Sequence, residues 1–306
     1  MPPLIETENL TKRFDTLTAV DHLTLAVDEG ELLALLGPNG AGKTTTVRML
    51  SSILKPSSGS ACIAGYDVQR DAATVRHIVG HLTEFPGLYL RMRPFEYFDF
   101  FGELQGLARA QTRARAEELM KHFGLWDARQ RRLGEFSKGM RQKAALIRAM
   151  LHDPRVLFLD EPTSAMDPHS AKQVRDAIAD LCSRGHTIVL CTHNLHEAET
   201  LANRIAVIRR GQLIALGTPT ELKRELLGSP IWEVRLARPL GQPWPQSNGH
   251  LQIESADETT LRYRAAAPTV ANPLLLHRLD QVGAEVLTLS EVPRGLEDVY
   301  LKLVEG

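Results

Sequence analysis

A short glycine-rich stretch near the N-terminus has the residue types and spacing of a phosphate-binding loop. Residues 37–44 read Gly-Pro-Asn-Gly-Ala-Gly-Lys-Thr, a full match to G-x-x-x-x-G-K-[ST]. The glycines let successive backbone N–H groups turn inward around an anion, and the helix predicted over 44–53 adds its positive end. Lys43 would reach the β- and γ-phosphates and the Thr44 hydroxyl would hold Mg2+. A glycine-rich turn with a surface lysine is the alternative, but motif and context agree. The stretch therefore predicts binding of a nucleoside triphosphate.

A pair of carboxylates suits the same chemistry. The apolar run 156–159 is typical of a central parallel strand, and it ends in Asp160 and Glu161. Open α/β sheets bind ligands at the carboxyl ends of their strands. We therefore predict that Asp160 coordinates Mg2+ and that Glu161 polarises or deprotonates the attacking water. A capping pair is the alternative for an isolated Asp-Glu, but it is less apt beside a phosphate-binding loop.

Other candidate side chains have alternatives that the residues alone leave open. His193 follows a strand predicted over 187–191 and is placed to hydrogen-bond the γ-phosphate, although a histidine at a strand end is more often structural. Ser137 and Gly139 open another predicted helix, whose N-terminus offers a second phosphate site. Phe14 lies in a predicted turn, where it either stacks on a base or caps a small β core.

The elements that must position these residues follow from apolar patterning. Buried strands are predicted over 32–36, 156–159 and 187–191, with a crossover helix over 171–184. The stretch 94–123 has helical texture and begins with a group of aromatic residues: Phe95, Tyr97, Phe98, Phe100 and Phe101. Aromatic residues on several sides of a helix favour burial, and a partner-binding face is the alternative. Beyond Gly228 the segments predict strands over 231–236, 261–264 and 284–289 and helices over 273–282 and 296–304.

The bulk properties are those of an ordinary globular protein. A net charge of -1 argues against a large basic surface for nucleic acid, and the run 129–132 is a short basic exception. Cys62, Cys182 and Cys191 lack metal-ligand spacing and are predicted to be reduced thiols. No secretion signal is evident, and no run approaches the ~20 apolar residues that span a bilayer. Any membrane connection is therefore expected to come through a partner.

Taken in chain order, these motifs resemble the ATP-binding cassette family, the ATPase subunits of ABC transporters. The resemblance covers about Ile5 to Leu222. It consists of a Walker A motif at 37–45, a signature motif at 136–140, a Walker B motif at 156–161, a D-loop at 164–167 and the switch histidine His193. Phe14 stands where the family has its adenine-stacking aromatic residue, which favours stacking over a β-core role.

The resemblance implies a role for each candidate residue. Lys43, Glu161 and His193 would be catalytic, and Thr44, Glu84 and Asp160 would hold Mg2+. The residues that would bind ATP are Phe14, Gly37, Pro38, Asn39, Gly40, Ala41, Gly42, Lys43, Thr44, Thr45, Ser137 and Gly139.

Two positions depart from the family's pattern. Glu84 stands where the Q-loop usually has Gln; a carboxylate also binds Mg2+ but adds negative charge near the triphosphate. The coupling that this loop provides between the nucleotide and the membrane partner is therefore expected to differ from that of family members with Gln. The signature reads Phe-Ser-Lys-Gly-Met, which keeps Ser137 and Gly139. Lys138 adds a positive charge that either favours phosphate binding or belongs to an ordinary solvated side chain.

The resemblance also implies the architecture. The fold class would be α/β, a P-loop NTPase cassette with a mainly parallel core sheet, flanking helices, an antiparallel β subdomain and a helical subdomain over about 85–152. The cassette is expected to span 1–228 and a small C-terminal α+β domain 229–306. The ending 296–303, Leu-Glu-Asp-Val-Tyr-Leu-Lys-Leu, looks like that of ATPases paired with ABC-2-type permeases. Those are mainly bacterial exporters, often of drugs, antibiotics or polysaccharides.

The implied function is ATP hydrolysis coupled to a separate ABC-2-type permease, at the cytoplasmic face of the membrane. Two copies would stack head to tail, with each ATP between one copy's Walker motifs and the other's signature. Phe85, Leu88, Tyr89 and Phe95 include candidates for contact with the permease. The alternative is a soluble ABC-type regulatory or assembly ATPase, but a second cassette and zinc modules are absent. A P-loop kinase or GTPase is a further alternative, although the Asn-Lys-x-Asp pattern is absent.

Overall fold

The chain divides into two compact units, Met1–Pro219 and Thr220–Gly306. The computed structural model describes residues 2–84, 87–164, 166–244 and 251–305. The division falls between the first two residues of a helix at Pro219–Leu227, whereas the predicted boundary falls after this helix. The end of this helix is bonded within the second unit: the Arg264 and Arg294 side chains donate to the Leu227 carbonyl at 2.8 and 3.3 Å.

The first unit contains an antiparallel sheet, a mainly parallel sheet and the helices that flank them. Its strands are β1 (Ile5–Phe14), β2 (Leu17–Val27), β3 (Leu32–Leu36), β4 (Ser58–Ile63), β5 (Tyr66–Asp67), β6 (Val79–Leu82), β7 (Val156–Asp160), β8 (Thr187–Thr192), β9 (Arg204–Arg209) and β10 (Gln212–Gly217). Its helices are α1 (Lys43–Leu50), α2 (Ala72–Ile78), α3 (Pro94–Leu104), α4 (Arg109–His122), α5 (Lys138–Met150), α6 (Pro168–Ser183) and α7 (Leu195–Leu201).

The central sheet has the order β10-β9-β3-β8-β7-β6. All neighbouring pairs are parallel except β10 with β9. Every residue of β3, β7 and β8 is buried, as expected for parallel strands covered by helices on both faces. Because parallel strands end at the same edge of a sheet, the residues that follow β3, β7 and β8 lie side by side. The antiparallel sheet β2-β1-β4-β5 completes the predicted cassette architecture.

Helices α3, α4 and α5 pack their apolar side chains into one core. Tyr97 and Phe98 on α3 have no exposed surface, which confirms the expectation of burial for these two aromatic residues. Phe100 on the same helix is 38% exposed, however, so the aromatic group is divided between core and surface.

The second unit is an antiparallel sheet with helices. Its elements are α8 (Pro219–Leu227), which begins at the last residue of the first unit, β11 (Ile231–Leu236), β12 (Gln252–Ala256), β13 (Thr260–Arg264), α9 (Pro268–Gln281), β14 (Val286–Glu291) and α10 (Leu296–Glu305). The sheet order is β12-β13-β11-β14. Strand β12 is missing from the sequence-based prediction, and α9 begins before the predicted Pro273. Proline is disfavoured inside a helix, but Ala271 before Pro273 and Leu275 after it are fully buried in the core of this unit and hold the helix on both sides of the proline.

The three cysteines are free thiols, as predicted. Burial raises the pKa of the Cys62 and Cys182 thiols, and it raises that of the fully buried Cys191 well above the ordinary value. Among the described residues, no helix has both the length and the apolar character that crossing a membrane requires.

Candidate nucleotide-binding site

The loop after β3 wraps around the N-terminus of α1 and depends on its glycines. Gly42 caps α1 with φ 107°, a conformation that side chains rarely adopt. A Cβ on Gly42 would lie 2.4 Å from the Ala19 carbonyl oxygen, and one on Gly37 would lie 2.3 Å from the Ile208 carbonyl oxygen. The loop is therefore packed against neighbouring backbone at both ends, which holds its amides around the space where an anion would bind.

The Lys43 side chain is held inside this loop. It is 6% exposed, and its ammonium donates to the carbonyl oxygens of Gly37 at 2.7 Å and Pro38 at 3.2 Å. Its Nζ also lies 3.8 Å from Oε1 of Glu161. Gly37 and Pro38 thus position the lysine rather than line the cavity. The ammonium therefore lies beside the predicted catalytic carboxylate of Glu161 and can pair with a phosphate that enters the loop.

Strand β7 brings Asp160 to the Thr44 hydroxyl, and the two side chains are hydrogen-bonded. Burial raises the pKa of the Asp160 carboxyl, and the nearby Glu161 and Glu84 charges raise it further. The Thr44 hydrogen bond and the Lys43 charge act in the opposite direction. A divalent cation would relieve this crowding of carboxylates.

The donor set fits Mg2+ that is bound together with phosphates. Among the described residues, no three His, Cys, Asp or Glu side chains form a cage that would hold a metal by protein groups alone. Mg2+ usually takes one or two carboxylates and completes its shell with phosphates and water. Asp160 and Thr44 supply hard oxygen atoms of the right kind, and the exposed Glu84 faces the same cavity.

Glu161 and His193 meet across the ends of β7 and β8. Oε1 of Glu161 lies 2.8 Å from Nδ1 of His193, and the Glu161 side chain is mostly buried. The Glu161 backbone has φ 48°, which is uncommon for a residue with a side chain, and its N–H donates to the Cys191 carbonyl at 2.9 Å. The histidine therefore contacts the predicted base directly, a contact that the sequence-based interpretation of His193 as a phosphate ligand did not include.

Most of the predicted site residues line a single cavity of about 740 Å3. The predicted residues on its wall are Phe14, Asn39, Gly40, Ala41, Gly42, Lys43, Thr44, Thr45, Glu84, Asp160, Glu161 and His193. The volume lies in the range of ligand pockets, which is about 300–1,000 Å3. Phe14 ends β1 rather than lying in a turn, and it is 43% exposed. The Lys12 ammonium lies over its ring, 5.0 Å from the centroid.

Other residues on the cavity wall were not among the predicted ATP-binding, metal-binding or catalytic residues, although Ser164 belongs to the predicted D-loop. They are Leu17, Thr18, Ala19, Ser164 and Arg210. Arg210 lies in the turn between β9 and β10. Its segment, Arg-Arg-Gly-Gln at 209–212 between two apolar runs, is a hairpin signal in the sequence. The adjacent Gly211 N–H donates to the Ala41 carbonyl at 2.9 Å, which attaches this hairpin to the phosphate-binding loop. The hairpin was predictable from local residues, but its long-range packing was not.

The signature residues lie apart from this cavity. Ser137 caps α5 as predicted, its Oγ accepting from the Met140 N–H at 3.2 Å. Gly139 is buried against α6, where an added Cβ would lie 2.8 Å from the Ser170 hydroxyl. Asp167 caps α6 by accepting from the Ser170 N–H at 2.9 Å. Within the described residues, neither Ser137 nor Gly139 lines the cavity that holds Lys43.

Comparison with known proteins finds ATP-binding proteins that resemble this chain over nearly its whole length. The family model described as ABC transporter matches residues 20–164. The chain is 38% identical over 304 residues to the daunorubicin/doxorubicin resistance ATP-binding protein DrrA of Streptomyces peucetius, covering 98% of this chain and 92% of that protein. It is 35% identical over 299 residues to the Nod factor export ATP-binding protein I of Paraburkholderia xenovorans, covering 98% and 96% respectively.

A solved structure of an ATP-binding subunit of an ABC transporter has the same fold. It superposes with a TM-score of 0.65 at 30% identity, covering 74% of this chain and 94% of that one. The family match includes the phosphate-binding loop and both carboxylates at the end of β7. The chain therefore belongs to the ATP-binding subunits of ABC transporters, the ATPases that power transport through a membrane permease.

Proposed function

We propose that the chain is the ATPase of an ABC-2-type exporter and acts as a homodimer at the cytoplasmic face of the membrane. The names of the relatives support export, since one is named for daunorubicin and doxorubicin resistance and another for Nod factor export. The observation that carries the catalytic proposal is the placement of Glu161, 2.8 Å from His193 and 3.8 Å from Lys43. The permease would select the transported compound.

In this proposal each side chain has one task on ATP. Phe14 stacks on the adenine, and the loop amides with Lys43 bind the phosphates. Thr44, Asp160 and Glu84 would hold Mg2+, which offsets phosphate charge when it is bound. Glu161 accepts a proton from the attacking water, and the His193 ring, in contact with Glu161 Oε1, keeps that carboxylate oriented.

The homodimer is proposed because one chain does not bring its signature to its own phosphate-binding loop. In a head-to-tail pair, Ser137 and Gly139 of one copy would meet the γ-phosphate bound by the other. Ser137 is suited to this, since its oxygen accepts from the Met140 N–H while its own proton is available for a phosphate oxygen. The helix cap and the phosphate contact are therefore compatible.

A group of exposed apolar residues on the helical part of the cassette is proposed to contact the permease. Its members Tyr89, Leu90, Phe100 and Leu104 are 49%, 48%, 38% and 66% exposed. The Tyr89 ring packs edge-to-face on Phe100 at 5.7 Å between centroids. Phe95 and Leu88 are partly buried in the core of this part, and Phe95 packs against Trp126. Phe85 lies outside the described residues.

The Glu161→Gln variant tests the catalytic and dimer proposals together. We expect it to bind ATP with Mg2+, to release phosphate at a small fraction of the wild-type rate and to accumulate as a dimer, because the base is lost while the binding groups remain. Light scattering and phosphate release measure the two effects. Turnover close to wild type would remove Glu161 as the base, and a monomer with ATP bound would contradict the homodimer.

The exporter proposal is tested by capture of the tagged Glu161→Gln protein with ATP and Mg2+ from detergent-solubilised cells that express it naturally. Recovery of a polytopic membrane protein in equal amount supports a permease partner. Recovery without a membrane protein, or together with ribosomes, would overturn the exporter proposal while the ATPase activity stands.

A further inference from the structure

A carboxylate outside the cavity wall joins the two strand ends that carry the reacting side chains. Glu197 on α7 is 1% exposed. Its Oε1 accepts from the Thr163 hydroxyl at 2.8 Å and its Oε2 accepts from the Thr192 hydroxyl at 2.7 Å. Thr163 follows β7 and Thr192 is the last residue of β8. One buried side chain therefore spans the gap between two neighbouring strand ends.

Each threonine is close in sequence to a proposed catalytic residue. Thr163 lies two positions after Glu161, and Thr192 immediately precedes His193. The Thr192 hydroxyl also accepts from the Asn194 N–H at 3.0 Å, and the Asn194 side chain accepts from the Glu197 N–H at 3.1 Å. Glu197 thus binds the end of β8 and the loop after it with both its side chain and its backbone N–H.

The cost of burying Glu197 indicates a role other than packing. A buried carboxylate loses its hydration, and a leucine would fill the same space without this penalty. Burial raises the pKa of the Glu197 carboxyl, while the hydrogen bonds from Thr192 and Thr163 lower it. The two carboxylate oxygen atoms each accept from one threonine hydroxyl. These bonds satisfy the carboxylate and also fix the orientation of both threonine side chains.

The backbone of Glu161 needs support of this kind. Its φ of 48° is an unfavourable conformation for a residue with a side chain, and it persists only where the surroundings hold it. On one side the Glu161 N–H is bonded to the Cys191 carbonyl at 2.9 Å. On the other side, two residues further along, Thr163 is bonded to Glu197. The conformation that aims the Glu161 carboxylate is thereby fixed from both directions.

We propose that Glu197 is a positioning residue for ATP hydrolysis. By bonding Thr163 and Thr192 it sets the distance between Glu161 and His193, and it acts on turnover without touching the nucleotide. This inference rests on the proposed roles of Glu161 and His193 in the site.

The test uses the full-length protein with Glu197→Gln, Glu197→Ala, Thr163→Val and Thr192→Val. Glutamine keeps the length and can bond both threonines as a weaker neutral group, so its kcat is expected between those of wild type and Glu197→Ala. For Glu197→Ala we expect kcat to fall at least about tenfold, because a 1 Å misplacement of a reacting group can cost about 10²-fold. KM for ATP is expected to stay within about twofold, since the binding groups are unchanged.

A comparison of single and double variants separates positioning from general stability. Thr163→Val and Thr192→Val are each expected to lower kcat in the wild-type background. In the Glu197→Ala background Thr163→Val should add little, because it acts through the same bridge, and Thr192→Val should add only the part that comes from its bond with the Asn194 N–H. Thr200→Val is the matched control, since its hydroxyl bonds only the His196 carbonyl of its own helix in the described contacts. Thermal unfolding is followed in parallel, and the Thr→Val variants keep the test decisive if Glu197→Ala does not fold.

Several results would overturn the proposal. It fails if the threonine variants keep wild-type kcat, if their effects add fully to that of Glu197→Ala, or if KM rises while kcat is retained. Glu161→Gln, measured in the same series, distinguishes this failure from that of the proposed function. Loss of turnover in Glu161→Gln with normal threonine variants overturns the positioning role alone, whereas retained turnover in Glu161→Gln overturns the function on which it rests.

Discussion

At the scale of single residues, two glycines of the phosphate-binding loop have different reasons to be glycine. Gly40 has φ 81° but would place a Cβ in open space. Gly42 has φ 107°, and its Cβ would also meet the Ala19 carbonyl at 2.4 Å. Backbone cannot yield as a flexible side chain does. An alanine at position 40 would therefore meet conformational strain alone, whereas an alanine at position 42 would meet the same kind of strain and a steric clash.

We predict that Gly42→Ala lowers ATP affinity at least about tenfold and reduces the free energy of unfolding by more than Gly40→Ala does. The left-handed conformation alone costs an alanine about 1–2 kcal/mol, and only Gly42→Ala adds a backbone clash. Calorimetric titration with a non-hydrolysable ATP analogue and urea unfolding measure the two effects. Equal losses in both variants would mean that the close approach of Ala19 is unimportant.

The residues that could be predicted from sequence are those whose motifs are continuous. Lys43 and Thr44 follow their glycines directly, and Asp160 and Glu161 follow an apolar strand, so local patterns were sufficient. Arg210 and Glu197 were missed because their roles depend on packing between distant segments. The paired hydroxyls around Glu197 become visible only when β7 and β8 are placed side by side.

At the scale of elements, β6 carries a partly buried histidine that should affect the acid stability of the cassette. Burial lowers the pKa of His81 to about 4, with smaller contributions from the Arg148 and Arg48 charges. The ring packs edge-on against Phe158. Because the unfolded chain takes up this proton near the ordinary pKa of 6.5, the folded state loses stability as the pH falls from about 6.5 towards 4. Above that window both states are neutral and the effect vanishes.

We predict that His81→Leu flattens the decline of unfolding free energy between pH 6.5 and 4. The difference from wild type across this window is expected to approach about 3 kcal/mol, since each pKa unit corresponds to about 1.4 kcal/mol. His77→Leu, at an exposed position on α2, is the matched control for the loss of a histidine. Urea unfolding at a series of pH values gives the measurement. Parallel curves for wild type and His81→Leu would contradict the assignment.

Elements were predicted most reliably where one pattern dominated. The buried runs of β3, β7 and β8 were placed nearly to the residue because strands covered on both faces are continuously apolar. Helix α9 was predicted to begin only at Pro273 because proline is disfavoured inside a helix. Burial of Ala271 in the core of the second unit outweighs this preference. Strand β12 was missed because most of its residues are exposed and lack a clear alternation.

At the scale of the whole molecule, Ser137 and Lys43 of one copy are expected to serve different ATP molecules. This can be tested with mixed dimers, in which the two copies carry different substitutions. Lys43→Ala removes the lysine from a copy's own site. Ser137→Asp keeps a good helix cap but places a carboxylate where the partner's γ-phosphate would bind. A dimer with one copy of each variant has one site with both defects and one site with neither.

We therefore predict that each variant alone is nearly inactive and that their mixture recovers a substantial part of the wild-type ATPase rate. Ser137→Asn, a neutral cap, is the control for the added charge and should retain more activity than Ser137→Asp. Phosphate release from co-expressed, doubly tagged and purified pairs gives the rate per dimer. A mixed dimer no more active than the mean of the two variants would mean that each copy hydrolyses ATP with its own residues alone.

Because its native thiols are covered, the protein is suited to selective labelling at an introduced cysteine. Cys62 and Cys182 are partly covered and Cys191 is fully buried, and burial raises the pKa of all three, so little reactive thiolate is present near neutral pH. A cysteine introduced at an exposed position such as Lys138 would then react first with a maleimide dye. Fluorescent labels in the signature would then follow the proposed approach of two copies in real time, with the native cysteines left in place.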